Sequence, residues 1–151
     1  MKRNYDRILL YCLRKSIWPW AISRAHLAVS PTVPVNEFKF AWVEPPDLIK
    51  LLRIYTDDSP LLLPEDNAIQ YKRESGFILS NETIMTIKYI NNKALDNPSI
   101  MDPTFVEYFA AELAYAVCYK ITNSVDLRKE LYNLAMQLFK EAAAVASQED
   151  N

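Results

Sequence analysis

Apolar side chains recur at Tyr5, Ile8, Leu9, Cys12 and Ile17, close to helical spacing, with basic residues on the other face. This predicts a helix over residues 2–17. It should stop near Trp18, because the residue before Pro19 is pushed out of the α region. Residues 20–29 fit two patterns. Trp18, Ile22, Ala25 and Val29 make a helical stripe, whereas Ala21, Ala25, Leu27 and Val29 partly fit a strand whose apolar face Ser23 interrupts. Ser30-Pro31 through Pro34 reads as a loop.

The period then changes. "EFKFAWV" alternates Phe38, Phe40 and Trp42 with Lys39 and Ala41, which predicts a half-buried strand ended by "EPPD". "LIKLLRIY" (Leu48–Tyr55) is a second apolar run, short and well bounded, and "TDDSPLLLPEDN" reads as a long loop. "AIQYKRE", "GFILS" and "TIMTIKYI" follow, separated by Ser75-Gly76 and Asn81-Glu82, and read as a β-meander. Gly76 is the only glycine in the chain, and it stands where a tight hairpin needs positive φ.

From Asp102 the pattern is helical. Asp102 is a good N-cap and Pro103 suits the first helical position. Phe105, Phe109, Leu113, Ala116 and Val117 form one stripe, which Val106, Ala110 and Ile121 widen, so this helix is apolar around most of its circumference. "TNS" breaks it, Ser124 caps the next helix, and Leu127, Leu131, Leu134, Leu138 and Val145 recur along it. The short turn predicts an antiparallel hairpin with Leu113 and Leu134 in its core. The expected fold is mainly α with a small antiparallel β insert: a helical bundle plus a β-meander. A single domain is expected, with its helical part at 1–19 and 102–147 and its β region at about 36–91.

Composition narrows the function. The 151 residues are half apolar, which fits a globular chain. A net charge of −2 and a pI near 5.5 argue against a dedicated nucleic-acid binder. The charge is uneven, however. Residues 1–30 hold Lys2, Arg3, Arg7, Arg14, Lys15 and Arg24 against Asp6 alone, and the last eleven residues hold Glu141, Glu149 and Asp150 with no base. Opposite ends that meet different partners, or each other in an assembly, would account for this. The apolar run Ile8–Leu13 is too short to span a membrane and no small-residue cleavage site follows, so the expected place of the chain is the cytoplasm in which it is made. Cys12 and Cys118 sit in apolar surroundings and read as buried thiols.

Candidate chemistry is sparse. One glycine leaves little room for a Gly-rich phosphate loop, and one histidine, His26, leaves little for a catalytic triad or a zinc site. Asp57-Asp58 and Glu65-Asp66 lack the spaced third ligand of a calcium loop. Neither an enzyme, a cofactor nor a metal is expected.

The order of the short motifs says more than any one of them. "YDRILLYCLRKSIWPWAISRAHLA" is followed by "FKFAWVEPPDLIKLLRIY", "YKRESGFILSNE", "IKYI", "FVEYFAAELAYAVCYKIT" and "LYNLAMQLFKEAAAVASQED". The series resembles the head-to-tail adaptors of short-tailed bacteriophages, the tail tubular protein A family, over nearly the whole chain. Ser75-Gly76 replaces the family's Glu-Gly pair, and Glu44-Pro45-Pro46-Asp47 stands where the family tends to show Leu-Pro-x-Asp. The resemblance implies a virion structural protein without catalytic residues, found in the host cytoplasm during assembly. Such a protein forms a ring of about twelve copies between the portal and a tail nozzle of the tail tubular protein B kind, and lines the passage for the genome. It also implies an extended chain after Trp20. By the same resemblance the C-terminal end is the portal contact, with Ala142, Ala143, Ala146, Gln148, Glu149 and Asp150 as candidates. Leu61, Leu62 and Leu63 are candidates for a tail or subunit contact. Two alternatives stay open: a head-completion protein of a long-tailed phage, and a small DNA-binding protein using the basic face Arg3, Arg7 and Arg14 of the first helix.

Overall fold

The computed structural model describes residues 2–56, 70–121 and 123–149, the side chain at 119 excepted. Three helices and six strands form within them: α1 (Lys2–Arg14), β1 (Ile22–His26), β2 (Phe40–Val43), β3 (Leu48–Tyr55), β4 (Tyr71–Glu74), β5 (Phe77–Ser80), β6 (Thr86–Asn91), α2 (Pro103–Ile121) and α3 (Val125–Glu149). They fall into two compact units, one of Met1–Ile22 with Ile90–Asn151 and one of Ser23–Tyr89. The unit boundaries lie inside β1 and β6.

This corrects the expected fold class. The protein is α+β with two three-stranded antiparallel sheets, 49% helical and 24% strand among the described residues, so the β part is not a small insert in a mainly α protein. Two readings of the sequence account for the error. The ambiguous residues after Trp18 form a 3-10 turn (Pro19–Ala21) and then β1, and the run Leu48–Tyr55 is a strand along its whole length. The expected meander is not formed either. β4 and β5 make a hairpin, but β6 leaves it, so the sheet orders are β2-β5-β4 and β1-β6-β3.

Local chemistry explains the hairpin. Glu74 pairs with Phe77, which leaves Ser75 and Gly76 as a two-residue loop with φ of 52° and 83°. Two positive φ values are what a type I′ turn demands, and its twist matches that of the strands. Arg73 reaches beyond the hairpin to Glu44, with Nε and Nη2 donating to Oε1 at 2.7 Å and Oε2 at 3.1 Å. The core of the β unit draws on both sheets: Trp42, Ile78, Met85, Ile87 and Tyr89 are buried, with Ala25, Leu27, Phe40, Leu48, Leu51 and Ile54 packed around them.

The helical unit is organised around Trp18, which is buried and touches the rings of Trp20, Phe105, Tyr108 and Phe139. α1 buries Ile8, Leu9, Cys12 and Leu13. The Asp102 carboxylate accepts from the Thr104 N–H at 3.0 Å at the start of α2, and the Ser124 hydroxyl accepts from the Leu127 N–H at 3.3 Å at the start of α3. Both caps use donors that a helix start leaves unpaired.

The face of α3 differs from the expected one. Leu134 is 44% exposed and Leu127 is 41% exposed, whereas Ala135, Ala142 and Ala146 are buried. The alanine row lies about 70° around the helix from the leucine row. Beside the alanine row, Phe139 and Tyr132 of α3 meet the rings of Tyr108 and Tyr115 of α2, with centroids 5.2 and 5.8 Å apart.

Candidate interaction surfaces

The arginines of α1 fall on one line of the helix. Arg3, Arg7 and Arg14 are all exposed, opposite the buried Ile8, Leu9, Cys12 and Leu13. Leu10, half-buried, and Tyr11, exposed, lie on the same side. Lys15 stands 5.0 Å from the Tyr11 ring centroid, and its pKa is raised, chiefly by the Tyr11 hydroxyl.

The C-terminal candidates divide. Ala142 and Ala146 are buried within the helical unit, Ala143 is half-buried, and Gln148 and Glu149 are exposed. Only the latter three offer surface to another chain. Asp150 and Leu61, Leu62 and Leu63 lie outside the described residues, as do Asp57, Asp58, Glu65 and Asp66.

The sequence reading missed the outer side of α2. Val106 is 40% exposed, Ile121 is 71% exposed, Ala110 and Ala114 are exposed, and Val117 is half-buried. These five recur at three- and four-residue steps and form one stripe about 22 Å long. A helix apolar on nearly all sides expects cover on all sides. Part of the signal was present in the sequence, where Val106, Ala110 and Ile121 widen the core stripe and Val117 belongs to it. Which of them the chain itself covers depends on where α1 and α3 pack.

Near the tip of the helical hairpin an open groove of about 350 Å³ is lined by Tyr115, Arg128, Lys129, Tyr132 and Asn133. It joins residues of α2 and α3, and no single stretch of sequence announces it.

The titratable groups displaced from their ordinary values sit mostly in structural positions. Burial pushes the Cys12 thiol up to about 12. The Tyr108 hydroxyl is fully enclosed near Cys12 and Glu112, and burial drives its pKa upward. In the β unit Tyr89 donates to Asp47 Oδ1 at 2.9 Å, and burial together with that carboxylate pushes the phenol up to about 12. His26 is exposed, with Nδ1 2.8 Å from Thr86 Oγ1. Among the described residues no three His, Cys, Asp or Glu side chains converge as a metal site would require, and no helix is long and apolar enough to cross a membrane. No protein-family model matches the sequence, and the search of curated proteins gave no match.

Proposed function

We propose that this protein is a structural adaptor of a phage virion, assembling as a ring between the portal and the tail and lining the genome passage. The ordered motif series supports the reading. The observation that carries it is the surface of the helical unit: a basic face on α1 and an uncovered apolar stripe on α2. Faces of this kind suit a subunit that buries them against neighbours. On this reading the function is geometric: the chain holds its partners at a fixed spacing and carries out no chemistry. The mild negative charge of the chain fits a passage that does not grip phosphates. The portal contact falls to the exposed end of α3, at Gln148 and Glu149.

The test is to mix the purified chain with the portal protein of the same phage. We expect a monomer or small oligomer alone and a ring on the portal, read by light scattering and negative-stain images. Absence of binding at micromolar concentration overturns the proposal. The DNA-binding alternative predicts instead a salt-dependent shift of duplex DNA that weakens when Arg3, Arg7 and Arg14 are replaced.

A further inference from the structure

We infer that the outer side of the α2–α3 hairpin is the socket for α1 of a second copy of this chain, in a head-to-tail contact. The inference rests on the ring reading above and names the surfaces that make the ring.

The socket has an apolar floor. On α2 it consists of Val106, Ala110, Ala114, Val117 and Ile121. On α3 it consists of the leucine row, in which Leu127 and Leu134 are exposed and Leu131 and Leu138 half-buried. The two rows lie on the same side of the hairpin. Phe139 touches Trp18 and lies 5.8 Å from the Lys15 ammonium, so one shoulder of α3 is turned toward α1. The leucine row is about 100° away, on the other shoulder. On α2, Phe109 meets Tyr5 of α1 edge to face, with centroids 5.0 Å apart, and the outer stripe again lies on the side away from α1.

Charge says what covers the floor. Beside the leucine row, on the solvent side, runs a line of Glu130, Gln137, Glu141 and Gln148. All four are exposed; of the bases of α3, Lys129 and Lys140 project from the side opposite the leucine row, and Arg128 lies about 90° from that row, in the groove at the hairpin tip. The socket is therefore apolar with an acidic rim. The surface that complements it is α1 of another copy, where Arg3, Arg7 and Arg14 flank Leu10 and Tyr11. The lengths agree as well: α1 has 13 residues, about 20 Å, against a stripe of about 22 Å. Plug and socket face different directions on one helical unit. Their contact is heterologous, and a heterologous contact closes into a ring when its rotation permits.

The experiment uses the full chain in sedimentation velocity over a concentration series, with far-UV circular dichroism to check folding. One variant carries Arg3→Glu and Arg7→Glu, a second carries Glu130→Lys and Glu141→Lys, and a third carries all four changes. The first two should weaken association about tenfold, and the third should restore it within about twofold, because every contact is then reversed on both sides. Val106→Asp with Ile121→Asp should abolish association in a chain that still folds. If the chain alone stays monomeric, the same variants are compared as assemblies on the portal, and a wild-type chain that associates in neither setting overturns the inference. So does association indifferent to either pair of reversals, or a fourfold variant no better than the pairs. The two proposals fail separately. A chain that binds the portal while ignoring the reversals keeps the adaptor and loses this contact. A chain rescued by the fourfold swap that binds no portal keeps the contact and loses the adaptor.

Discussion

The indole N–H of Trp18 donates to the carbonyl of Cys12 at 3.2 Å, inside the helical unit. The same carbonyl accepts from the Lys15 N–H at 3.1 Å. A helix leaves its last carbonyls without intrahelical donors, and Trp18 satisfies one of them from the residue at which Pro19 turns the chain away. This explains why a tryptophan stands there: its ring fills the core between Phe105 and Phe139 while its edge closes α1. Trp18→Phe keeps much of the ring and loses the N–H, and should cost about 1–3 kcal/mol in urea unfolding. Trp18→Ala should cost about 3–5 kcal/mol. A Phe variant as stable as the parent would show that the bond contributes nothing.

Tyr108 carries a buried hydroxyl beside the Cys12 thiol and Glu112, without a hydrogen bond of full geometry among the described residues. Removing an unsatisfied polar group without changing the ring relieves its desolvation cost. Tyr108→Phe should therefore leave stability unchanged or raise it by about 1 kcal/mol, measured by thermal melting.

The two rows of α3 predict opposite responses. Leu134→Ala should cost about 1 kcal/mol or less, because the residue is already 44% exposed. Ala135→Leu should cost about 1–3 kcal/mol, because it forces bulk into a position that is 2% exposed. Paired denaturation curves decide between this assignment and a leucine core.

Gly76 has open space where a Cβ would lie, so substitution there meets no steric obstacle. The cost of Gly76→Ala is then conformational, about 1–2 kcal/mol for an L-residue held at φ of 83°. Proteolysis at the hairpin should quicken in step with the loss of stability.

Alkaline pH should weaken the fold. Cys12 and Tyr89 are both pushed up to about 12, so the native state retains protons that the unfolded chain releases above pH 9–10. With fewer protons on the unfolded chain, stability falls as pH rises. The contribution is complete below pH 9 and lost by about pH 12. Cys12→Ala should flatten the pH dependence of unfolding in this window. Cys12 in the native protein should also resist thiol reagents at neutral pH and react once unfolded.

Helix ends and the tight hairpin were readable from sequence alone, because their causes are local. Asp102-Pro103, Ser124 and Ser75-Gly76 act on donors and dihedral angles within a few residues of themselves. α1 is an exception: its apolar pattern runs on to Ile17, yet the helix ends at Arg14, four residues before Trp18. What the sequence could not decide was which partner each apolar surface meets. β6 follows β5 closely yet pairs with β1 and β3, because strand pairing is settled by a core assembled from distant segments. On α3 the leucines and the alanines are equally good helical rows. Packing of α3 on α2 turned the small one inward, with Phe139 and Tyr132 beside it meeting the rings of Tyr108 and Tyr115. That choice turned Leu127 and Leu134 outward and left α2 with an uncovered stripe. The apolar residues of that surface stand in the sequence, but their exposure exists only once the helices have packed.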